Sequence, residues 1–425
     1  MFDTLRGAWK IVDLRKKILY TILIIFLFRV GAAIPVPFLD ATALAASVNS
    51  SSTLYGFLDV FTGGAFSSAA IFALSITPYI NSSIIIQLLT VAIPALERMA
   101  KDEGEEGKKK LGRITRYTTL GLALMLGFFY YLLLRNQSQA VKYVSGFEGF
   151  FAAAVIIACF VGGSMLIMWL GEQINDKGIG NGISILIFAG IVSSAPRAIL
   201  TLISYLTIGN WVYYILVPLV VIVFLAVIVF IVVMSEAERR IPVQYAKRVV
   251  GRKVYGGQAT NMPIKVNMSG VMPIIFASSL LSLPGIILDL TNPAEGSFWN
   301  VFLGWFNYRG ILYAVLYFLL IIAFNYFYVG TQYNPVEMSN NIRTNSGTIP
   351  GIRPGKPTSD FIAKIVSRIT FIGAIFLGVV AVLPIIFGMI TGMNLALGGT
   401  SVIILVGVAL ETARQIESQM MMRHY

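Results

Sequence analysis

YGFLDVFTGGAFSSAAIFALSITPYINSSIIIQLLTVAIPA, residues 55–95, divides into two unequal parts. In Tyr55–Phe66 the apolar residues Phe57, Leu58, Val60, Phe61 and Phe66 are interrupted by Asp59 and by Gly63-Gly64, with Tyr55, Gly56, Thr62 and Ala65 between. As a helix this piece reaches only about 18 Å, against a hydrocarbon core of about 30 Å. It can enter a membrane protein but cannot cross the bilayer. Ser67–Ile93 is long enough to cross, and Ile76, Ile80 and Ile84 recur at every fourth position, on one helix face. Pro78, Asn81 and Gln87 lie in the same span, unusual company in a helix facing only lipid. A short re-entrant piece followed by an isoleucine-striped helix suggests a plug and a pore wall.

Composition sets the class. Over 425 residues, 57% are hydrophobic and only 12% charged, with a mean hydropathy of +0.79. Those values belong to a polytopic membrane protein. The single cysteine, Cys159, lies in a long apolar run, and the single histidine, His424, stands next to the last residue. Two such residues build neither a disulfide framework nor a metal site, and nothing implies a cofactor. The basic N-terminus (Arg6, Lys10, Arg15, Lys16, Lys17) before an apolar run from Ile18 imitates a signal peptide, but the length of that run favours a retained first helix.

Hydropathy predicts ten spans, at 18–38, 67–93, 117–134, 151–171, 183–208, 212–234, 269–290, 310–330, 369–390 and 400–416. An even count puts both termini on one side. Of the 32 lysines and arginines, 27 fall in 1–17, 94–116, 172–182, 235–268, 331–368 and from Arg414 onward. The other five are Arg29, Arg135, Lys142, Arg197 and Arg309. The positive-inside rule makes the first side cytoplasmic. Arg29, inside the first span, either snorkels toward the external interface or is paired inside the bundle, and snorkelling is the favoured expectation.

Two cytoplasmic loops exceed what a connector requires. Residues 235–268 alternate bulky apolar and basic residues and divide at Gly256-Gly257, which reads as a β-hairpin or rigid finger. Residues 331–368 are rich in Pro, Gly, Asn and Ser and carry Arg343, Arg353 and Lys356. Both suit either a headgroup-facing connector or a platform for a large anionic partner. Residues 101–113, KDEGEEGKKKLGR, read as a flexible solvated loop.

Six stretches carry a resemblance: IFALSITPYINSSIIIQLL (71–89), GIGNGISILIFAGI (178–191), RRIPVQYAKR (239–248), VNMSGVMPIIFASS (266–279), IPGIRPGKPT (349–358) and GGTSVIILVGVALET (398–412). They are similar to the signature stretches of the SecY family, the pore subunit of the bacterial protein-secretion translocon, in order and over nearly the whole chain. The resemblance implies an all-α fold of ten helices in two pseudosymmetric halves, 1–208 and 209–425, around an hourglass pore. It implies a pore ring of Ile76, Ile80, Ile183, Ile187, Ile275 and Ile404 (with Ile403 adjoining), and a plug at about Tyr55–Phe66. It places a lateral gate between spans two and three on one side and seven and eight on the other. It implies a docking surface for the SecA ATPase and ribosomes on the finger and the second loop, at Arg239, Arg240, Lys247, Arg248, Arg252, Lys253, Arg353 and Lys356. The further partners it implies are SecE, SecG, signal sequences, unfolded preproteins and membrane lipids, with the chain in the plasma membrane and both termini cytoplasmic.

Without the resemblance, an isoleucine stripe at helical spacing reads as packing or lipid-facing surface, and Tyr55–Phe66 as an interfacial segment. Two other classes fit the residues poorly. A secondary transporter needs ionisable coupling residues at mid-depth, and beyond Arg29 the spans have almost none. An intramembrane enzyme needs a positioned nucleophile and base or paired carboxylates, and no span holds two central acids. No G-x-x-x-x-G-K-[ST] occurs, so the energy for transport must come from a partner.

Overall fold

The computed structural model describes residues 7, 9–44, 59, 62–101, 104–136, 140–207, 211–245, 248–250, 253–255, 259–291, 297, 298, 302, 305, 310–391 and 399–421. Ten helices match the ten expected spans: α1 (Val12–Ala33), α2 (Thr77–Ala92), α4 (Gly104–Asn136), α5 (Gly146–Lys177), α6 (Gly182–Thr207), α7 (Trp211–Glu236), α8 (Met272–Thr291), α9 (Ile311–Gln332), α11 (Lys356–Thr391) and α12 (Gly399–Met421). Two short helices, α3 (Pro94–Lys101) and α10 (Pro335–Thr344), lie between them. Among the described residues, six helices are long and apolar enough to cross a membrane alone, and a seventh span counts if α2 is taken with α3 across their 107° bend. The protein is an all-α polytopic membrane protein.

The second span departs from a continuous helix. Residues 62–76 run as consecutive turns, and α2 begins only at Thr77. Pro78 sits in the first turn of α2, where its missing N–H costs nothing. Upstream, Gly63 and Gly64 adopt φ of 65° and 85°, and Ala69 and Ser75 also take positive φ, which no α-helix allows. The turns are braced by extended backbone at residues 34–36. Val36 N–H donates to the Ala69 carbonyl at 2.8 Å and Ile71 N–H to the Ile34 carbonyl at 3.0 Å. Irregular backbone at membrane depth survives only when protein surrounds it, and Ala65, Phe66, Ala69, Ala70 and Phe72 are all buried.

Residues 101–113 also differ from expectation. The chain is helical from Gly104, so most of the expected loop is the first part of α4. Glu105 and Glu106 lie in its first turn, where the helix dipole favours acids, and Glu106 pairs with Lys110 one turn later at 3.8 Å.

The two long loops fold into one platform. β1 (Glu238–Tyr245) pairs antiparallel with β4 (Ala259–Lys265), and β2 (Arg248–Val250) with β3 (Lys253–Tyr255). Val250 faces Lys253, so the finger reverses before Gly256-Gly257, which lie outside the described residues. β5 (Gly347–Thr348), from the second loop, adds to the other edge of β1. Ile241, Val243 and Ile264 turn inward onto Ile342, Ile349, Ile362 and Val366. The period-2 pattern of β1 thus supplies a small core that fixes the finger to α10 and α11.

Helix contacts separate two groups. α2, α4 and α5 pack in sequence, with α1 and α6 against α5, while α8, α9, α11, α12 and α7 pack as a second series. The groups meet where α6 contacts α7 and α12, and where α8 contacts α2 and α4. Several hydrogen bonds tie helices within a group: Ser82 Oγ to the Thr115 carbonyl at 2.8 Å, Arg116 Nε to Glu172 Oε1 at 2.8 Å, and a buried chain from Ser269 through Asn325 to the Thr370 carbonyl.

Candidate functional site

The isoleucines expected to form a ring come from four separate helical segments and belong to one large apolar cluster that also takes in side chains of α1, α5, α9 and α11. Ile76 caps the start of α2 and Ile80 lies on its first turn, both buried. Ile187 of α6, Ile275 of α8 and Ile403 and Ile404 of α12 are buried in the same cluster, with Ile183 half-buried against it. Both Ile403 and Ile404 belong to the cluster, at 1% and 0% exposure. The cluster spans both helix groups, so it is closed by contacts between groups as well as within them. A seam of small residues, Ala277, Ser278 and Ser279, lines this part of α8, and small side chains allow close helix approach.

Toward the platform, the cluster gives way to a polar cavity of about 440 Å³. Its lining includes Asn181 and Ser184 of the first group and Ser235, Lys265, Asn267, Glu411 and Arg414 of the second. Ser235 Oγ and Asn267 Oδ1 find no hydrogen-bond partner within the protein, which fits a space that water enters. Burial pushes the Lys265 ammonium pKa below its ordinary value. Arg414 adds to that shift, and Glu238 and Glu411 oppose it.

Of the expected plug, Tyr55–Leu58, Val60 and Phe61 lie outside the described residues. Asp59 and Thr62–Phe66 form a turn at the opposite end of the cluster from the polar cavity. Asp59 organises that turn. Its backbone carbonyl accepts from Gly64 N–H at 2.8 Å and Thr62 Oγ at 3.1 Å, and its Oδ1 accepts from Ser67 N–H at 2.7 Å. The turn is seated directly on α6, because a Cβ at Gly63 would stand 2.8 Å from the Gly190 Cα. Only glycine tolerates both that approach and the positive φ.

Two arginines converge on the turn. Arg29 of α1 donates through Nη1 to the Gly63 carbonyl at 3.0 Å and to Ser193 Oγ at 2.8 Å. Arg197 of α6 donates to Asp59 Oδ2 at 2.9 Å and to Ser67 Oγ at 3.3 Å. The expectation that Arg29 snorkels is therefore overturned: its guanidinium is paired inside the bundle. Arg197 and Ser193 were not singled out by the sequence. The available signal was Asp59 itself, an acid in an otherwise apolar segment that needs a donor.

On the platform, Arg239, Arg240, Arg353 and Lys356 are exposed. Arg240 Nε also pairs with Glu238 at 2.7 Å. Lys247 and Arg252 lie outside the described residues, and only the backbone of Arg248 and Lys253 is described, in β2 and β3. The strand pairing of β1 with β5 holds the Arg239–Arg240 stretch and the loop bearing Arg353 on one unit.

A family model described as SecY matches residues 70–413. The protein translocase subunit SecY of Thermotoga maritima is 42% identical over 433 aligned residues, covering 100% of this chain and 97% of that protein. A solved SecY structure, described for a plug domain that stabilises the closed state and maintains a membrane seal, superposes with a TM-score of 0.68 at 18% identity, over 95% of this chain and 92% of that one. Sec61 in a canine ribosome-channel complex from the endoplasmic reticulum superposes with a TM-score of 0.63 at 17% identity, over 95% and 92%.

Proposed function

The chain belongs to the SecY family, and from that premise we propose how its own residues conduct a polypeptide. It is a protein translocase channel subunit and not an enzyme. Ile76, Ile80, Ile183, Ile187, Ile275 and Ile404 form the pore constriction. Branched apolar side chains offer an ion no ligands, and a narrow apolar ring tends to dewet, so it seals against ions and water. The same side chains close around a moving chain without binding any particular sequence. A selective pocket would instead present convergent polar groups.

The turn around Asp59–Phe66 is part of the plug, a second seal on the external side while the channel is idle. The polar cavity above the ring is the cytoplasmic mouth through which an unfolded preprotein enters. The seam between α8 and the pair α2–α4 is the lateral gate. When it parts, a signal sequence or membrane helix leaves sideways into lipid, where its apolar residues are favourably placed. The two halves, 1–208 and 209–425, move about the α6–α7 connection. The platform residues Arg239, Arg240, Arg353 and Lys356, together with Lys247, Arg248, Arg252 and Lys253, dock the SecA ATPase or a ribosome. SecE braces the halves, and SecG completes the complex. The distribution of basic residues supports a plasma-membrane orientation with both termini cytoplasmic.

The observation that carries this reading is the convergence of isoleucines from four helical segments between a polar cavity and a buried turn. It is tested by reconstituting the chain with SecE and SecG in proteoliposomes, then adding SecA, ATP and a preprotein. Protease-protected preprotein accumulates only in vesicles that contain the chain. Equal protection in vesicles lacking it would overturn the reading.

A further inference from the structure

Arg29 and Arg197 reach the same turn from different helices. Arg29 binds its backbone through the Gly63 carbonyl, and Arg197 binds its carboxylate at Asp59. Within α6, Ile187, Gly190, Ser194 and Arg197 recur at spacings of three and four, so they share one helix face. The ring side chain, the seat of the turn and the arginine therefore project toward the same space. Any movement of α6 that widens the ring also drags Gly190 and Arg197 relative to the turn.

We propose that Arg29 and Arg197 form a two-point latch that holds the plug turn on α6 and sets how firmly the idle channel stays shut. The proposal rests on the turn being the plug. The two attachment points differ in kind. The Arg29 bond is to a carbonyl and is part-buried, whereas the Arg197 side chain is 59% exposed against 13% for Asp59. A half-hydrated ion pair is weakened by water and can be released by a small displacement, whereas an unpaired charge within the bundle is costly. Arg197 is thus the releasable point and Arg29 the retaining one. A signal sequence opening the gate has only to shift α6 far enough to break the first.

The test measures ion leak per assembled channel in proteoliposomes containing the complete translocase, without substrate. Losing a half-exposed ion pair shifts an equilibrium by up to about fivefold, and losing a part-buried bond from a charged donor by about tenfold. Arg197→Gln raises the idle leak by up to about fivefold and Arg29→Gln by about tenfold, and both permit export of a precursor with a weakened signal sequence. Arg197→Lys, which keeps the charge, stays close to the parent. Asp59→Asn, a nearly isosteric change, raises the leak like Arg197→Gln and serves if an arginine variant does not assemble. Removal of residues 59–66 is the reference. If that removal raises the leak while Arg197→Gln and Asp59→Asn stay at the parent level, the latch is overturned and the plug assignment stands. If the removal also leaves the leak unchanged, the plug assignment falls, and the latch with it.

Discussion

Replacing Ile187 with Asn separates a sealing ring from ordinary packing. Ile187 is 3% exposed, inside the cluster where α2, α6, α8 and α12 meet. Burying an isoleucine favours the closed state by about 1.5–3 kcal/mol. An asparagine amide buried there without partners disfavours it by about 1–3 kcal/mol. In an open, hydrated pore neither term operates. The closed state therefore loses about 2.5–6 kcal/mol relative to the open one, and each 1.4 kcal/mol is tenfold. Idle ion conductance per assembled channel in a planar bilayer should rise by at least about fiftyfold. Ile156→Asn is the matched control, an isoleucine of α5 at 0% exposure in a different apolar cluster. It should reduce the amount of assembled protein without raising conductance per channel. Conductance unchanged in Ile187→Asn, or raised equally in Ile156→Asn, refutes the reasoning.

Asn325→Ala removes the centre of the buried chain joining Ser269 to the Thr370 carbonyl. It should cost about 1–3 kcal/mol, read as a lower Tm in detergent, and an unchanged Tm would mean the bonds contribute nothing net. Gly182→Ala would drive a methyl into the Gly171 carbonyl oxygen, so α5 and α6 must separate and the variant should accumulate poorly in membranes. Parent-level accumulation would show that the GNG connection yields easily. The double variant Arg239→Ala with Arg353→Ala should weaken binding of SecA or ribosomes several-fold and flatten its salt dependence, leaving idle conductance unchanged. Unaltered binding across graded salt would remove these side chains from the docking surface.

The sequence showed most clearly what depends on local periodicity. The isoleucines of α2 are visible as helical spacing, and the finger as alternation across Glu238–Tyr245, because each pattern is set by neighbours within one element, whereas Ile183, Ile187, Ile275 and Ile404 stand out only through the family resemblance. Apolar content predicts helix across residues 67–76, because it does not distinguish helix from buried turn. Pro78 and Gly63-Gly64 carried the information that α2 starts at Thr77. Residues 101–113 looked like a loop from their charge, yet an acid-first, base-later order also starts a helix well. The arginine contacts were illegible for another reason. Arg29 meets Ser193 across 164 residues, and Arg197 meets Asp59 across 138. No local pattern reports a contact of that separation.

Cysteine crosslinking to a translocating chain tests the pore assignment most directly. In a Cys159→Ser background, single cysteines are placed at Ile80, Ile187 and Ile275, and at Leu166, an exposed position on α5, as control. A secretory substrate is stalled midway with SecA and ATP. Crosslinks from all three isoleucine positions and none from Leu166 are expected if the cluster opens into the polypeptide path. Silence at the three while transport proceeds, or equal crosslinking at Leu166, would put the path elsewhere and return the isoleucines to packing.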